Sequence, residues 1–165
     1  MIIMGMKVWR FQVKEGHEGD IVRMNQEDWP RLFGRSSGYV GTEINVSRKG
    51  PIFYVTADSW TSKVSFDRFV EQYKADFEAL SRQHEKHYES AEDLGFIEIG
   101  SMWRHPDRTT YRVDSLRLDA TDYETTGILS PAVGYTQLET GKKKQAGQWY
   151  SRDLENFLDV FTLVD

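Results

Sequence analysis

Residues Ile52 to Phe69 constrain the fold of this chain more than any other stretch. Ile52 to Trp60 alternates as a strand does, yet both faces are apolar: Phe53, Val55 and Ala57 on one, Ile52, Tyr54 and Trp60 on the other. Thr61-Ser62 makes a single turn, and an amphipathic helix follows with Phe66, Phe69, Val70, Tyr73, Phe77, Leu80 and His84 on its apolar side. Ser62 supplies the hydroxyl that caps its first turn. A strand apolar on both faces cannot leave either one to water. The pattern therefore predicts helices on one side of a sheet and a second layer, expected to be a partner's sheet, on the other.

The flanking segments complete a repeating order. Met6 to Val13 alternates, with Trp9, Phe11 and Val13 on one face, and Lys14-Glu15-Gly16 ends it. A helix is predicted from about Glu18 to Glu27 with Ile21 and Met24 inward; Pro30 interrupts it and Pro30 to Phe33 forms a short second turn. After Ser36-Ser37-Gly38, Tyr39 to Ser47 reads as a strand, and Arg48 to Pro51 turns it back into Ile52 to Trp60. Beyond the long helix, Ser90-Ala91-Glu92-Asp93 reads as a capping box, and Gly95 releases a strand from Phe96 to Trp103. The order is β-α-β-β-α-β, an α+β, ferredoxin-like arrangement.

The first domain is expected to span residues 1–104. Residues 105–165 read as a mainly β extension packing on that domain or on a partner subunit. In it, Tyr111 to Ala120 and Tyr135 to Leu138 are predicted strands, Ile128 to Pro131 and Gly141 to Gly147 loops, and Ser151 the cap of a helix carrying Leu154, Phe157, Leu158 and Phe161.

Composition excludes several classes of function. A net charge of −5 argues against a general nucleic-acid or anionic-membrane binder, and Lys142-Lys143-Lys144, beside glycines, reads as a solvated turn. The absence of cysteine removes disulfides, thiol nucleophiles and thiolate metal centres, and fits a cytoplasmic protein. The apolar N-terminus lacks the basic region and cleavage site of a signal peptide, and no apolar run approaches the ~20 residues that span a bilayer.

An ordered series of short motifs points to a family. These are Val13-Lys14-Glu15-Gly16, Asp28-Trp29-Pro30-Arg31-Leu32-Phe33, Gly38-Tyr39-Val40-Gly41-Thr42-Glu43, Asp58-Ser59-Trp60-Thr61-Ser62, Phe66-Asp67-Arg68-Phe69 and Glu92-Asp93-Leu94-Gly95-Phe96. With them, Lys7 to Phe96 resembles the antibiotic biosynthesis monooxygenase group of the dimeric α+β barrel superfamily. The resemblance implies a homodimer whose paired sheets close a barrel, and a small-molecule pocket between sheet and helices. It also implies, for several members, oxidation of aromatic polyketides or hydroquinones by O₂ without metal or flavin; others degrade haem.

The candidate site residues follow from both readings. Trp60 lies where oxygenase members place a pocket tryptophan, with the alternative of a core residue locking strand to helix. Those members use a strand asparagine just before it; Thr56 and Asp58 stand there in this chain, which weakens the carry-over. Asp58 and His84 are the candidate bases, and Trp9, Phe11, Tyr54 and Tyr73 the candidate substrate-binding residues, each with plain core packing as its alternative. Haem-degrading members carry an iron-ligating histidine roughly ten residues after a helix aromatic; counting from Phe69 gives Ala79. His84 and His87 form a weak metal pair, so no metal or cofactor is expected. The leading expectation is a cofactor-independent monooxygenase acting on an aromatic or quinol-like molecule. The alternative is a non-catalytic small-molecule-binding or dimerisation protein, and after it haem or metal binding through His84 and His87.

Overall fold

Strand β1 (Gly5–Val13) alternates as its sequence requires and is central in a four-stranded sheet. Its companions are β2 (Tyr39–Val46), β3 (Phe53–Trp60) and β4 (Tyr88–Glu98), in the order β2-β3-β1-β4. With helices between β1 and β2 and between β3 and β4, this is the ferredoxin-like order. The computed structural model describes residues 2–121, 129–138 and 147–164, and the chain divides into two compact units, Met1–Phe96 and Ile97–Asp165. The division falls before Met102–Arg104 rather than after it.

Register decides which side chains share a face. Antiparallel pairing of β1 with β3 sets Lys7 opposite Asp58, Trp9 opposite Thr56 and Phe11 opposite Tyr54. Pairing of β2 with β3 sets Thr42 opposite Asp58 and Ile44 opposite Thr56. Because side chains alternate with a period of two, all of these lie on one face. Ile21, Met24, Trp29, Leu32 and Phe33 from the first helical segment, and Phe69 from the second, form the core on that face with Phe11 and Trp60.

The first helical segment is α1 (Glu18–Arg23), a π-helical turn (Met24–Asp28) and α2 (Trp29–Phe33), without a gap. Pro30 was expected to interrupt a helix near Glu27. Instead it sits in the first turn of α2, where its missing N–H is no loss, and the π turn widens the helix just before it. The long helix expected after Ser62 is two helices, α3 (Lys63–Gln72) and α4 (Lys74–His84), separated by Tyr73 at φ −112° and ψ 27°. Ser62 caps α3 as foreseen: its Oγ accepts from Ser65 N at 3.0 Å. A 3₁₀ turn (Glu85–His87) follows α4.

The capping box assigned to Ser90-Ala91-Glu92-Asp93 is corrected, for these residues lie inside β4. Cross-strand pairing takes their carboxylates: Glu92 accepts from Arg10 at 2.8 Å and Asp93 from Lys7 at 2.8 Å. The strand expected from Phe96 to Trp103 is also divided, because Gly100, at φ 91°, turns the chain between Glu98 and Met102.

The second unit carries a five-stranded sheet in the order β8-β7-β6-β5-β9. Its strands are β5 (Met102–Arg104), β6 (Thr110–Thr121), β7 (Leu129–Gln137), β8 (Trp149–Asp153) and β9 (Thr162–Leu163). Leu129 to Pro131, expected in a loop, begins β7, while β8 and β9 were not foreseen. Helix α5 (Leu154–Val160) is capped by Asp153, whose carboxylate accepts from Asn156 N at 2.8 Å; Ser151, the expected cap, belongs to β8. Phe157 and Phe161 stack at 4.2 Å and meet Tyr135 at 5.3 Å, which forms the core of this unit. Lys142-Lys143-Lys144, Gly141 and Ile128 lie outside the described residues. Among the described residues no helix is long and apolar enough to cross a membrane.

Candidate active site

The helix-covered face of the first sheet encloses a cavity of about 80 Å³. Trp9 and Phe11 of β1 and Thr56 and Asp58 of β3 form its floor. Asn25 and Trp29, from the π turn and the start of α2, and Phe77, Ser81 and His84 of α4 form its walls, with Tyr88 and Ala91 of β4 along one side. A closed apolar cavity of about 150 Å³ admits a benzene ring, so this space takes part of one aromatic ring and leaves the rest toward its open side.

Asp58 is the chemically distinctive group. It is 5% exposed, and its row across the sheet runs from Thr42 through Asp58 to Lys7. The Thr42 hydroxyl donates to Oδ1 at 2.8 Å and in turn accepts from the Tyr39 hydroxyl at 2.5 Å. Burial pushes the Asp58 carboxyl up to about 7, against the opposing pull of the Thr42 hydrogen bond and the Lys7 ammonium. Lys7 does not neutralise it outright, because its Nζ is bound to both oxygens of Asp93 at 2.8 Å. Burial and the nearby Asp58 charge hold the Tyr39 hydroxyl up at about 12, so it remains a donor to the chain of hydroxyls that ends on Asp58.

His84 faces the same space from α4. Its Nε2 stands 3.0 Å from Asp28 Oδ2 without hydrogen-bond alignment, and Nδ1 has no hydrogen-bond partner among the described residues. Burial lowers its pKa, with Asp28 opposing, so the ring is neutral at neutral pH and offers a lone pair. Asn25 is buried and donates from Nδ2 to Ile21 O at 2.9 Å, which holds it at the cavity wall. The chamber thus has aromatic walls, a carboxyl titrating near neutrality and a neutral imidazole, the ingredients for moving a proton on or off an aromatic hydroxyl.

The structure gathers four of the seven expected residues, Trp9, Phe11, Asp58 and His84, around this cavity. Trp60 does not line it: the indole is fully buried among Phe33, Tyr39, Phe66 and Phe69, at centroid distances of 5.3–5.6 Å. Tyr54 packs at the margin of the core. Tyr73, in the break between α3 and α4, meets Phe69 at 5.3 Å with the Arg35 guanidinium 5.7 Å from its ring. Asn25, Trp29, Ser81 and Tyr88 were missed. Only Trp29 carried a signal, as part of Asp28-Trp29-Pro30; the others depend on how helices and β4 dock.

No family model matches the sequence, and no curated protein matches it either. Solved structures do. The cofactor-independent oxygenase SnoaB of Streptomyces nogalater is 21% identical with a TM-score of 0.44, the match covering 58% of this chain and 92% of that one. Protein PA3566 of Pseudomonas aeruginosa is 11% identical with a TM-score of 0.43, over 59% and 95%. A nipsnap family protein of unknown function from Agrobacterium tumefaciens is 15% identical with a TM-score of 0.44, over 58% and 87%. The fold assignment rests on the strand order and register of the first sheet, and the chemistry on the cavity itself.

Proposed function

We propose that the first unit binds a small phenol or hydroquinone and oxidises it with O₂ as a cofactor-independent monooxygenase. The observation that carries this reading is Asp58, a buried carboxyl pushed up to about 7 in an aromatic-walled cavity. A base whose pKa lies near the working pH is both populated and strong enough to accept a phenolic proton. Trp9, Phe11 and Trp29 hold the ring, and neutral His84 orients a second hydroxyl by accepting from it.

Asp58 takes the phenol proton, and the phenolate, poorly solvated among these aromatics, passes electrons to O₂. In a phenol, one oxygen atom bonds to the open para carbon; in a hydroquinone, it bonds to a free carbon beside a hydroxyl. One C–H and one O–H bond are lost overall, and the second oxygen atom leaves as water with both protons, one of them returned from Asp58. A phenol and O₂ thus give a quinone and water, and a hydroquinone and O₂ a hydroxyquinone and water, with no outside reductant. The homodimer implied by the family resemblance belongs to this proposal, and a monomer in native mass spectrometry removes that part alone.

Oxygen uptake with a panel of one- and two-ring hydroquinones and phenols tests the reading. The expected result is one O₂ consumed per quinone formed, without peroxide, and a loss of about 10²–10⁴-fold in Asp58→Asn. No uptake across the panel contradicts it. A non-catalytic small-molecule binder is the second reading, favoured by the absence of a strand asparagine before Trp60, where Thr56 and Asp58 stand. Ligands that shift the fluorescence of Trp9 and Trp29 without oxygen uptake are its signature.

A further inference from the structure

The start of α1 and the turn after α4 converge on side chains that the cavity does not use. His17 immediately precedes α1, Asp20 lies in its first turn, and His87 ends the 3₁₀ turn. His17 Nδ1 and His87 Nδ1 are 3.0 Å apart. Asp20 Oδ2 lies 3.2 Å from the first nitrogen and 3.5 Å from the second. The other carboxylate oxygen accepts from Arg23 Nη2 at 3.1 Å, which keeps Oδ2 turned toward the imidazoles. Backbone bonds fix the two segments: Lys14 N donates to His87 O at 3.1 Å, and His17 N to Lys14 O at 3.0 Å.

Protons satisfy this trio poorly. A single hydrogen between the two Nδ1 atoms must serve both the second nitrogen and the carboxylate oxygen. A cation meets all three lone pairs at once. Metal–ligand bonds of about 2.0–2.2 Å at tetrahedral angles set neighbouring ligand atoms about 3.3–3.6 Å apart. The observed edges of 3.0, 3.2 and 3.5 Å reach that triangle after shifts of a few tenths of an ångström.

We propose that His17, Asp20 and His87 form a binding site for a divalent first-row metal ion of the zinc class, with a fourth position open to water. Two imidazoles and one carboxylate are a donor set of that class. His87 is buried, whereas the His17 and Asp20 side chains are 37% and 33% exposed, so the site has a rigid inner ligand and an entry from solvent. None of the three lines the cavity. The ion clasps the start of α1 to the turn that follows α4, and the His87 ring lies 5.6 Å from His84, so an occupied site stiffens the segment that presents His84 to the cavity.

The test is a titration of metal-free, full-length protein with ZnCl₂ in competition with a chromophoric chelator, followed by the visible spectrum of the Co(II) form. The expected result is one equivalent bound. His17→Ala, on a partly exposed side chain, and Asp20→Asn are each expected to weaken it by at least the about 10–100-fold that even an outer-shell partner costs. His105→Ala, in the second unit, leaves binding and spectrum unchanged. No uptake by the wild-type protein, or uptake equal in wild type, His17→Ala and Asp20→Asn, overturns the proposal. Oxygen uptake is not the readout, so this site and the cavity's chemistry stand or fall separately.

Discussion

Asp58→Asn separates the electrostatics of the cavity from its packing. Below about 3.8 the Asp58 carboxyl is protonated in both folded and unfolded chains. Between there and about 7 the unfolded chain releases the proton while the folded chain keeps it, so stability falls as pH rises. At about 1.4 kcal/mol per pH unit, this one group lowers stability by about 4 kcal/mol across the interval, and above it the deficit stays constant. The asparagine variant has no such slope. Its amide keeps the hydrogen bond from Thr42 but brings an N–H that must find an acceptor, a cost of about 1–3 kcal/mol at every pH. The variant is therefore expected to be less stable than wild type near pH 4 and more stable, by about 1–3 kcal/mol, near pH 8. Urea unfolding of ligand-free protein, followed by the fluorescence of Trp9, Trp29 and Trp60, measures both ends. Curves of wild type and variant that run parallel from about pH 4 to about pH 8 refute the reasoning, because every other titrating group is common to both.

Three further outcomes follow from the packing. Trp60→Phe is expected to cost about 1–3 kcal/mol in urea unfolding and to leave oxygen uptake unchanged, because the indole lies in the core, its Nε1 without a partner among the described residues, and not on the cavity wall. Gly38→Ala is expected to destabilise by about 1–3 kcal/mol, since the new Cβ meets Ser65 Cβ at 2.4 Å, whereas Gly41→Ala meets nothing within 4 Å and serves as the contrast. Ala91→Trp, on an exposed position beside the cavity, is expected to raise the ligand dissociation constant while shifting stability by no more than about 0.5 kcal/mol.

Local chemistry made much of the first unit legible. The alternation of β1, the β2–β3 hairpin and the Ser62 cap each follow from neighbours in sequence, and the β-α-β-β-α-β order followed from them. The misreadings arose where distant groups decide. Ser90 to Asp93 has the residue types of a helix cap, yet Lys7 and Arg10, more than eighty positions away, draw Asp93 and Glu92 into a strand. Trp60 and Asp58 share one face of β3, and only the docking of α2 and α3 seals the first into core while leaving the second on the cavity floor. The Asp58 carboxyl could be named from sequence; that it titrates near neutrality could not, since this depends on burial. The His17–Asp20–His87 cluster was hidden for the same reason, its ends lying 70 positions apart.

The proposed chemistry depends on the ionisation of one side chain, which can be observed directly. A carbon-13 NMR titration of aspartate-labelled, ligand-free protein, with the Asp58 carboxyl resonance assigned by its loss in Asp58→Asn, gives that value. A midpoint at about 7 is the result this structure predicts. A midpoint near the ordinary carboxylate value of about 3.9 contradicts it, for Asp58 is then an ion across the working range and too weak a base for the proposed chemistry.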